Sequence, residues 1–188
     1  MNDTIKLGLR LMLFALCSAL LLALTNMITA RPIEEQERQK ALQSRKAALP
    51  AASEFTEINL AEEYGDAISA YPAVTSIMRG LDASGSTVGY IFTMSPYGYG
   101  GPIPITLGIS DGAVTGIAFG TLAETPGLGS KVAGSAFTSQ FTGLEASSAG
   151  SEKIDTISGA TVSSSAVKGA VTQAIAVYEN LIGAKEAE

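Results

Sequence analysis

Histidine and tryptophan are absent from this chain, and cysteine occurs once, at Cys17. Without histidine the chain lacks the commonest general base near neutral pH and the commonest transition-metal ligand. A lone cysteine makes no intrachain disulfide, no cysteine-based metal site and no iron–sulfur cluster. Basic residues are few as well: 12 Lys and Arg against 18 Asp and Glu give a net charge of −6, which leaves no electrostatic footprint for nucleic acid. No metal, no nucleic-acid partner and no catalytic side chain is therefore expected. Redox or catalytic chemistry, if any, must come from an organic cofactor.

What is present begins with a long apolar run. Residues 11–30, LMLFALCSALLLALTNMITA, lie uncharged between Arg10 and Arg31. As a helix this run crosses a bilayer core of about 30 Å. A cleaved signal peptide is the competing reading, but its apolar core is shorter and Ile28 spoils a small-x-small site ending at Ala30. Cys17 follows too short an apolar run to be a lipidation site. An uncleaved anchor in contact with membrane lipid is expected, preceded by a short tail over residues 1–10. Lys6 and Arg10 precede the run, whereas Arg31, Arg38, Lys40, Arg45 and Lys46 follow it. That balance leaves the topology open, because long domains cross largely regardless of flanking charge.

Residues 31–50 read as a charged helical stalk. Leu49-Pro50 ends it, since proline disfavours helical geometry in the residue before it. Residues 51–188 are expected to form one folded domain. Val74 to Leu81 and Thr87 to Met94 flank Asp82-Ala-Ser-Gly85, which predicts a hairpin. Ile103 to Ile109 and Ala113 to Phe119 flank Ser110-Asp111-Gly112, which predicts a second. Between them, Ser95-Pro-Tyr-Gly-Tyr-Gly-Gly-Pro102 is too glycine-rich for regular structure. Ser130 to Phe141 predicts a short helix with Phe137 and Phe141 on one face. From Ala166 through Val167, Ala170, Val171, Ala174, Ile175, Tyr178 and Leu181 to Ile182, an apolar stripe at helical spacing predicts an amphipathic helix ended by Gly183. Strand pairs followed by a packed helix give an α+β domain: a small antiparallel sheet covered by helices, preceded by one transmembrane helix.

Three motifs could carry chemistry. Asp155-Thr-Ile-Ser-Gly-Ala-Thr161-Val-Ser-Ser-Ser165 places a hydroxyl beside glycine and alanine, just ahead of the last helix. Unpaired N–H groups at that helix start favour an anion such as a phosphate. The same residues also suit a plain helix cap, with Thr161 or Ser163 accepting a first-turn N–H. Ser163, Ser164 and Ser165 supply more hydroxyls than one cap requires, and Asp155 is near enough to help shape the turn. Glu124-Thr125-Pro126-Gly127-Leu128-Gly129 is either a surface type II turn or a loop bringing backbone close to a ligand, with Glu124 as a polar contact and Leu128 as an apolar one. Tyr97-Gly98-Tyr99-Gly100-Gly101 could stack on a planar ring or pack over the domain's own core.

Taken together, these motifs carry a resemblance. The segment YGYGGPIPITLGISDGAVTGIAFGTLAETPGLGSK, ending at Lys131, followed by DTISGATVSSSAV, resembles the FMN-binding domain of the G subunit of the Rnf electron-transport complex. The C subunit of the sodium-translocating NADH:quinone oxidoreductase shares that domain. The resemblance covers about Tyr64 to Ile182, and ETPGLG with SGAT in this order is more specific than either alone. It implies FMN joined by a phosphoester to Thr161, with Asp155 matching the upstream acidic residue. It places Ser158, Gly159 and Ala160 at the phosphate and Glu124, Thr125, Gly127 and Leu128 along the flavin, to which the residues themselves add the first-turn hydroxyls of Ser163 and Ser164 and the Tyr99 ring as candidate contacts.

The resemblance further implies an electron-relay subunit of a membrane-bound complex moving electrons between ferredoxin and NAD, coupled to ion translocation. Its partners would be other membrane subunits, and a separate flavin transferase would attach the cofactor. The domain would lie outside the cytoplasm, on an inner-membrane anchor. Phe141 to Ser151 is short where some relatives carry an insertion. Two alternatives stay open: an anchored flavoprotein reductase acting on a small substrate, and a non-redox structural domain in which SGAT only caps a helix.

Overall fold

The computed structural model describes residues 3–146 and 154–183. Helix α1 (Asp3–Ala48) contains the apolar run, and it is the one helix among the described residues long and apolar enough to cross a membrane. The chain divides into two units, residues 1–41 and residues 42–188.

The second unit is built on a five-stranded antiparallel meander of β1 (Glu54–Ile58), β2 (Val74–Leu81), β3 (Thr87–Met94), β4 (Ile105–Ser110) and β5 (Ala113–Phe119), paired in sequence order. Local chemistry sets the two tight turns. Asp111 and Gly112 both take positive φ, 51° and 72°, the left-handed pair that joins twisted antiparallel strands. At the other turn the Asp82 carboxylate accepts the N–H groups of Ser84 and Ser86 and the Ser84 hydroxyl at 2.7, 2.9 and 2.6 Å. These bonds, led by the Ser84 hydroxyl and then the Ser86 N–H, hold its pKa below the ordinary value.

One sheet face forms the core. Ile77, Phe92, Met94, Ile105, Leu107 and Ile109 are buried with Val167, Val171, Ala174 and Ile175 of α4 (Thr161–Val177). The α4 helix continues as a π-helical turn, Tyr178–Gly183. Two short elements after β1, α2 (Leu60–Tyr64) and a 3₁₀ turn over Gly65–Ala70, lead to β2. This is the α+β architecture that the strand-then-helix pattern predicts.

Three details differ from the sequence expectation. Strand β1 has no counterpart in it. Strand β4 starts at Ile105 because Pro104 has no N–H to give the ladder, and the Ile103 N–H goes to Pro96 O at 2.8 Å instead. The helix expected over Ser130 to Phe141 is two pieces, a 3₁₀ turn (Gly129–Ala133) and α3 (Ser135–Thr138). Gly134, in an extended conformation with φ −74° and ψ 146°, separates them. Phe137 and Phe141 still meet edge to face at 5.1 Å. Of the segment Phe141 to Ser151, residues 147–151 lie outside the described residues.

The opposite sheet face is covered by the end of α1. Ala48, Leu49 and Ala52 are buried with Ile91. Side chains on the sheet would block this approach, and glycines stand where they would be. Gly80 pairs with Gly89 and Gly108 with Gly116 across neighbouring strands. A Cβ on Gly108 would overlap the Ala48 carbonyl, and one on Gly116 would come within 2.9 Å of Ala47 O. The Ala48 carbonyl, which has no partner within its own helix, accepts the Thr115 hydroxyl at 2.5 Å.

Two outcomes follow from this packing. Gly108→Val forces the Ala48 backbone off the sheet and costs about 1–3 kcal/mol, read as a lower thermal midpoint of the detergent-solubilised chain. Asp82, with a depressed folded-state pKa, contributes stability that is present above roughly pH 4. That stability is lost as pH falls through the folded value. Asp82→Asn should remove this part of the acid dependence in equilibrium unfolding measured against pH.

Candidate functional site

The start of α4 is the chemical centre of the folded unit. Ala160 stands at its N-cap with φ −135° and ψ 31°, and no side chain caps it. The first intrahelical bond runs from Ser164 N–H to Ala160 O at 2.9 Å. The N–H groups of the first turn are thus left for water or a ligand, with the positive end of the helix dipole behind them.

The turn leading into the helix is fixed from inside. Ala160 N–H bonds Ile157 O at 2.9 Å, and Gly159 takes φ +79°, a conformation that favours glycine. Ser164, fully buried, accepts the Ile157 N–H at 3.1 Å and donates to Ala160 O at 2.8 Å. Its hydroxyl is spent on holding the turn. Asp155 begins the segment, and its N–H bonds Gln140 Oε1 at 2.8 Å.

The ETPGLG segment forms a type II turn. Leu128 N–H bonds Thr125 O at 3.1 Å, and Gly127 supplies φ +78° at the third position. Gly127 N–H is held by the Ser130 hydroxyl at 2.9 Å. The surface-turn reading and the functional reading are compatible here, because the turn sets Glu124 and Leu128 on either side of it at one cleft.

That cleft has a volume of about 410 Å³ and is lined by Tyr99, Glu124, Thr125, Leu128, Gly129 and the run from Gly159 to Ser163. The structure therefore brings Tyr99, Glu124, Thr125, Leu128, Gly159, Ala160, Thr161 and Ser163 together, as the motifs anticipate. Ser158, Gly127 and Ser164 are not in its lining. Ser158 and Gly127 occupy the exposed turns beside it, and Ser164 faces the turn's interior. Two lining residues, Gly129 and Val162, lie inside the sequence motifs without having been named as cofactor contacts. Val162 falls between two hydroxyl residues, and its only signal was its place next to Thr161.

The lining has a larger oily part and a smaller polar part, with no cation among the described residues. Tyr99, Leu128 and Val162 are 81%, 50% and 56% exposed, large apolar surfaces that gain by being covered. Thr161 is exposed at the first helical position. Glu124 is buried, and it accepts Gly100 N–H and the Ser163 hydroxyl. An aromatic ring over the apolar residues with a phosphate at the uncapped helix start satisfies both parts. No lysine or arginine is needed, since an anion there draws on backbone N–H groups. Tyr97 is exposed and stands outside the cleft lining, so the tyrosine pair does not pack over the core.

Comparison with known proteins agrees with this geometry. Residues 98–176 match the model of the FMN-binding domain, and residues 1–47 match that of the RnfG N-terminal region. The first match runs from the Tyr99 loop through α4 and contains every residue that lines the cleft. The chain is 36% identical to the G subunit of the Na(+)-translocating ferredoxin:NAD(+) oxidoreductase complex of Acetobacterium woodii, over 94% of this chain and 92% of that one. It is 31% identical to the G subunit of an ion-translocating oxidoreductase complex of Methanosarcina acetivorans, over 93% and 94%. In fold it is similar to the C subunit of the Na(+)-translocating NADH-quinone reductase of Parabacteroides distasonis, with a TM-score of 0.60 at 20% identity, covering 80% of this chain and 96% of that one. With an FMN-binding domain over its cleft and relatives aligned along nearly its whole length, the chain belongs to the family of G subunits of Rnf-type ion-translocating oxidoreductase complexes.

Proposed function

We propose that this chain is the electron-relay subunit of a membrane-bound Rnf-type complex, carrying FMN through a phosphoester to Thr161. The observation that carries the proposal is the Thr161 hydroxyl, exposed at the first position of an uncapped helix and on the wall of the cleft. Gly159 and Ala160 beside it offer little bulk, so an incoming phosphoryl group is not shielded from the oxygen. Joined to Thr161, the FMN phosphate would be a diester carrying about one negative charge. The first-turn N–H groups and the helix dipole stabilise that charge by about 0.3–1 kcal/mol when exposed, and more when partly buried.

When bound, FMN supplies the redox chemistry, and the chain supplies attachment and orientation. Tyr99, Leu128 and Val162 cover the ring system, while Ala160 and Gly159 let backbone approach the phosphate. A covalent bond removes dissociation, which suits a carrier that cycles without losing its cofactor. The sole carboxylate in the lining among the described residues, Glu124, already accepts two protein hydrogen bonds. That favours a relay over a reductase, which would need a proton donor free to serve a substrate. The same scarcity of acid–base groups among the described residues of the lining supports attachment by a separate flavin transferase.

The remaining assignments follow the family. Residues 11–30 anchor the chain as a single pass through the inner membrane and touch lipid, residues 1–10 form a short tail, and residues 31–50 lead to the FMN-binding domain of residues 51–188. This domain faces away from the cytoplasm. Electrons pass between ferredoxin and NAD sides of the complex, coupled to ion movement, through neighbouring membrane subunits.

Intact mass and peptide mapping of the chain co-expressed with a flavin transferase test the proposal. The wild-type peptide containing Thr161 gains an FMN-phosphoryl mass, and Thr161→Ala yields none. An unmodified wild-type chain beside a transferase shown to be active would contradict the covalent reading.

A further inference from the structure

Three segments of the cleft meet at one buried side chain. Glu124 is 6% exposed. Its Oε1 accepts the Gly100 N–H at 3.0 Å, and its Oε2 accepts the Ser163 hydroxyl proton at 2.9 Å. The Ser163 oxygen in turn accepts the Tyr99 N–H at 3.3 Å. An unbroken chain of bonds thus joins the first turn of α4, the segment after β5 and the loop between β3 and β4. Room for the carboxylate comes from Gly98 and Gly129, since a Cβ on either would overlap it.

The chemistry of this brace is specific. The Gly100 N–H and the Ser163 hydroxyl both donate to the same group, and a carboxylate offers an oxygen to each. A glutamine could still accept the Gly100 N–H, but its NH₂ would have to donate to the Ser163 oxygen, which already accepts the Tyr99 N–H, and the Ser163 proton would lose its acceptor. The base of the loop is held separately, by Gly98 N–H to Gly101 O and Ile103 N–H to Pro96 O, both at 2.8 Å. Its tip, Tyr99 and Gly100, is tied to the rest of the cleft through Ser163 and Glu124. Ser163 has thereby committed its proton to Glu124 and a lone pair to Tyr99. Thr161 is left as the exposed hydroxyl of the first turn.

We propose that Glu124 is a positioning residue. Through Ser163 and the backbone of Tyr99 and Gly100, it holds the exposed Tyr99 ring in place against the planar ligand of the cleft. The identity of that ligand as FMN rests on the function proposed above, whereas the brace is a property of the chain by itself. Glu124 acts on the ligand through Tyr99, and its two hydrogen bonds are charge-assisted.

Amide hydrogen exchange on the full detergent-solubilised chain, without cofactor, tests the brace. In Glu124→Gln, and in Ser163→Ala as a gentler cut, the Tyr99 and Gly100 amides exchange about tenfold faster than in wild type. The amides of β3 and β4 keep their rates. Unchanged exchange at Tyr99 and Gly100 in both variants overturns the proposal.

Flavin fluorescence of the loaded chain tests the positioning role. Tyr99→Leu removes a stacked ring and raises the emission, Glu124→Gln raises it as well, and the double variant rises no further than Tyr99→Leu alone. Additive increases would show Glu124 acting apart from Tyr99 and overturn the proposal. A wild-type chain with no flavin after co-expression with a transferase shown to be active contradicts the function proposed above, and the exchange rates then decide the brace without it.

Discussion

The uncapped first turn of α4 is the constraint on which the site depends. A helix start ordinarily finds a side-chain acceptor for one of its free N–H groups. Here Thr161 occupies the first helical position rather than the cap, and the residue before it is alanine. The nearby hydroxyls do not repair the gap. Ser164 is turned inward to bind the Ile157 N–H, and Ser163 donates to Glu124. The polar groups around the helix start are satisfied among themselves in a way that leaves its N–H groups open. An anion would complete that arrangement, and in the function proposed above the phosphate of FMN is that anion.

The sheet serves the site from both sides. Its inner face packs against α4 and so fixes the height of the helix start above the strands. Its outer face, stripped of side chains at Gly80, Gly89, Gly108 and Gly116, receives Ala48 and Leu49. The strands that support α4 on one side are therefore the strands that hold the end of α1 on the other. Glycine costs backbone entropy in a strand, and here the loss is offset by buried contact with Leu49 and the Thr115 bond to Ala48.

Much of this was legible in the sequence, and the rest was hidden for physical reasons. Strands β2, β3 and β5 carry apolar residues between strong turn signals, and α4 carries a long stripe of small and branched apolar side chains, so both kinds of element announce themselves. Strand β1, EFTEI, is short, lies at the sheet edge and buries only Ile58, too little to leave a periodic pattern. Gly134 broke an expected helix because the periodicity of Phe137 and Phe141 says nothing about the backbone just before them. At the site, SGAT and ETPGLG were readable as motifs. The division of labour between Ser163 and Ser164 was not, since adjacent helical residues point about 100° apart and composition treats the two alike. The glycine trough was invisible for a related reason: its members are far apart in sequence and become neighbours only through strand register.

Phosphorus NMR of the purified, denatured chain examines the attachment most directly. A free phosphate monoester titrates with a pKa near 6, whereas a diester to Thr161 has no proton to lose in that range. The account predicts a single protein-borne phosphorus resonance whose shift is constant across neutral pH and which vanishes in Thr161→Ala. A resonance that titrates like a monoester, or wild-type flavoprotein with no phosphorus left on the denatured chain, would contradict it.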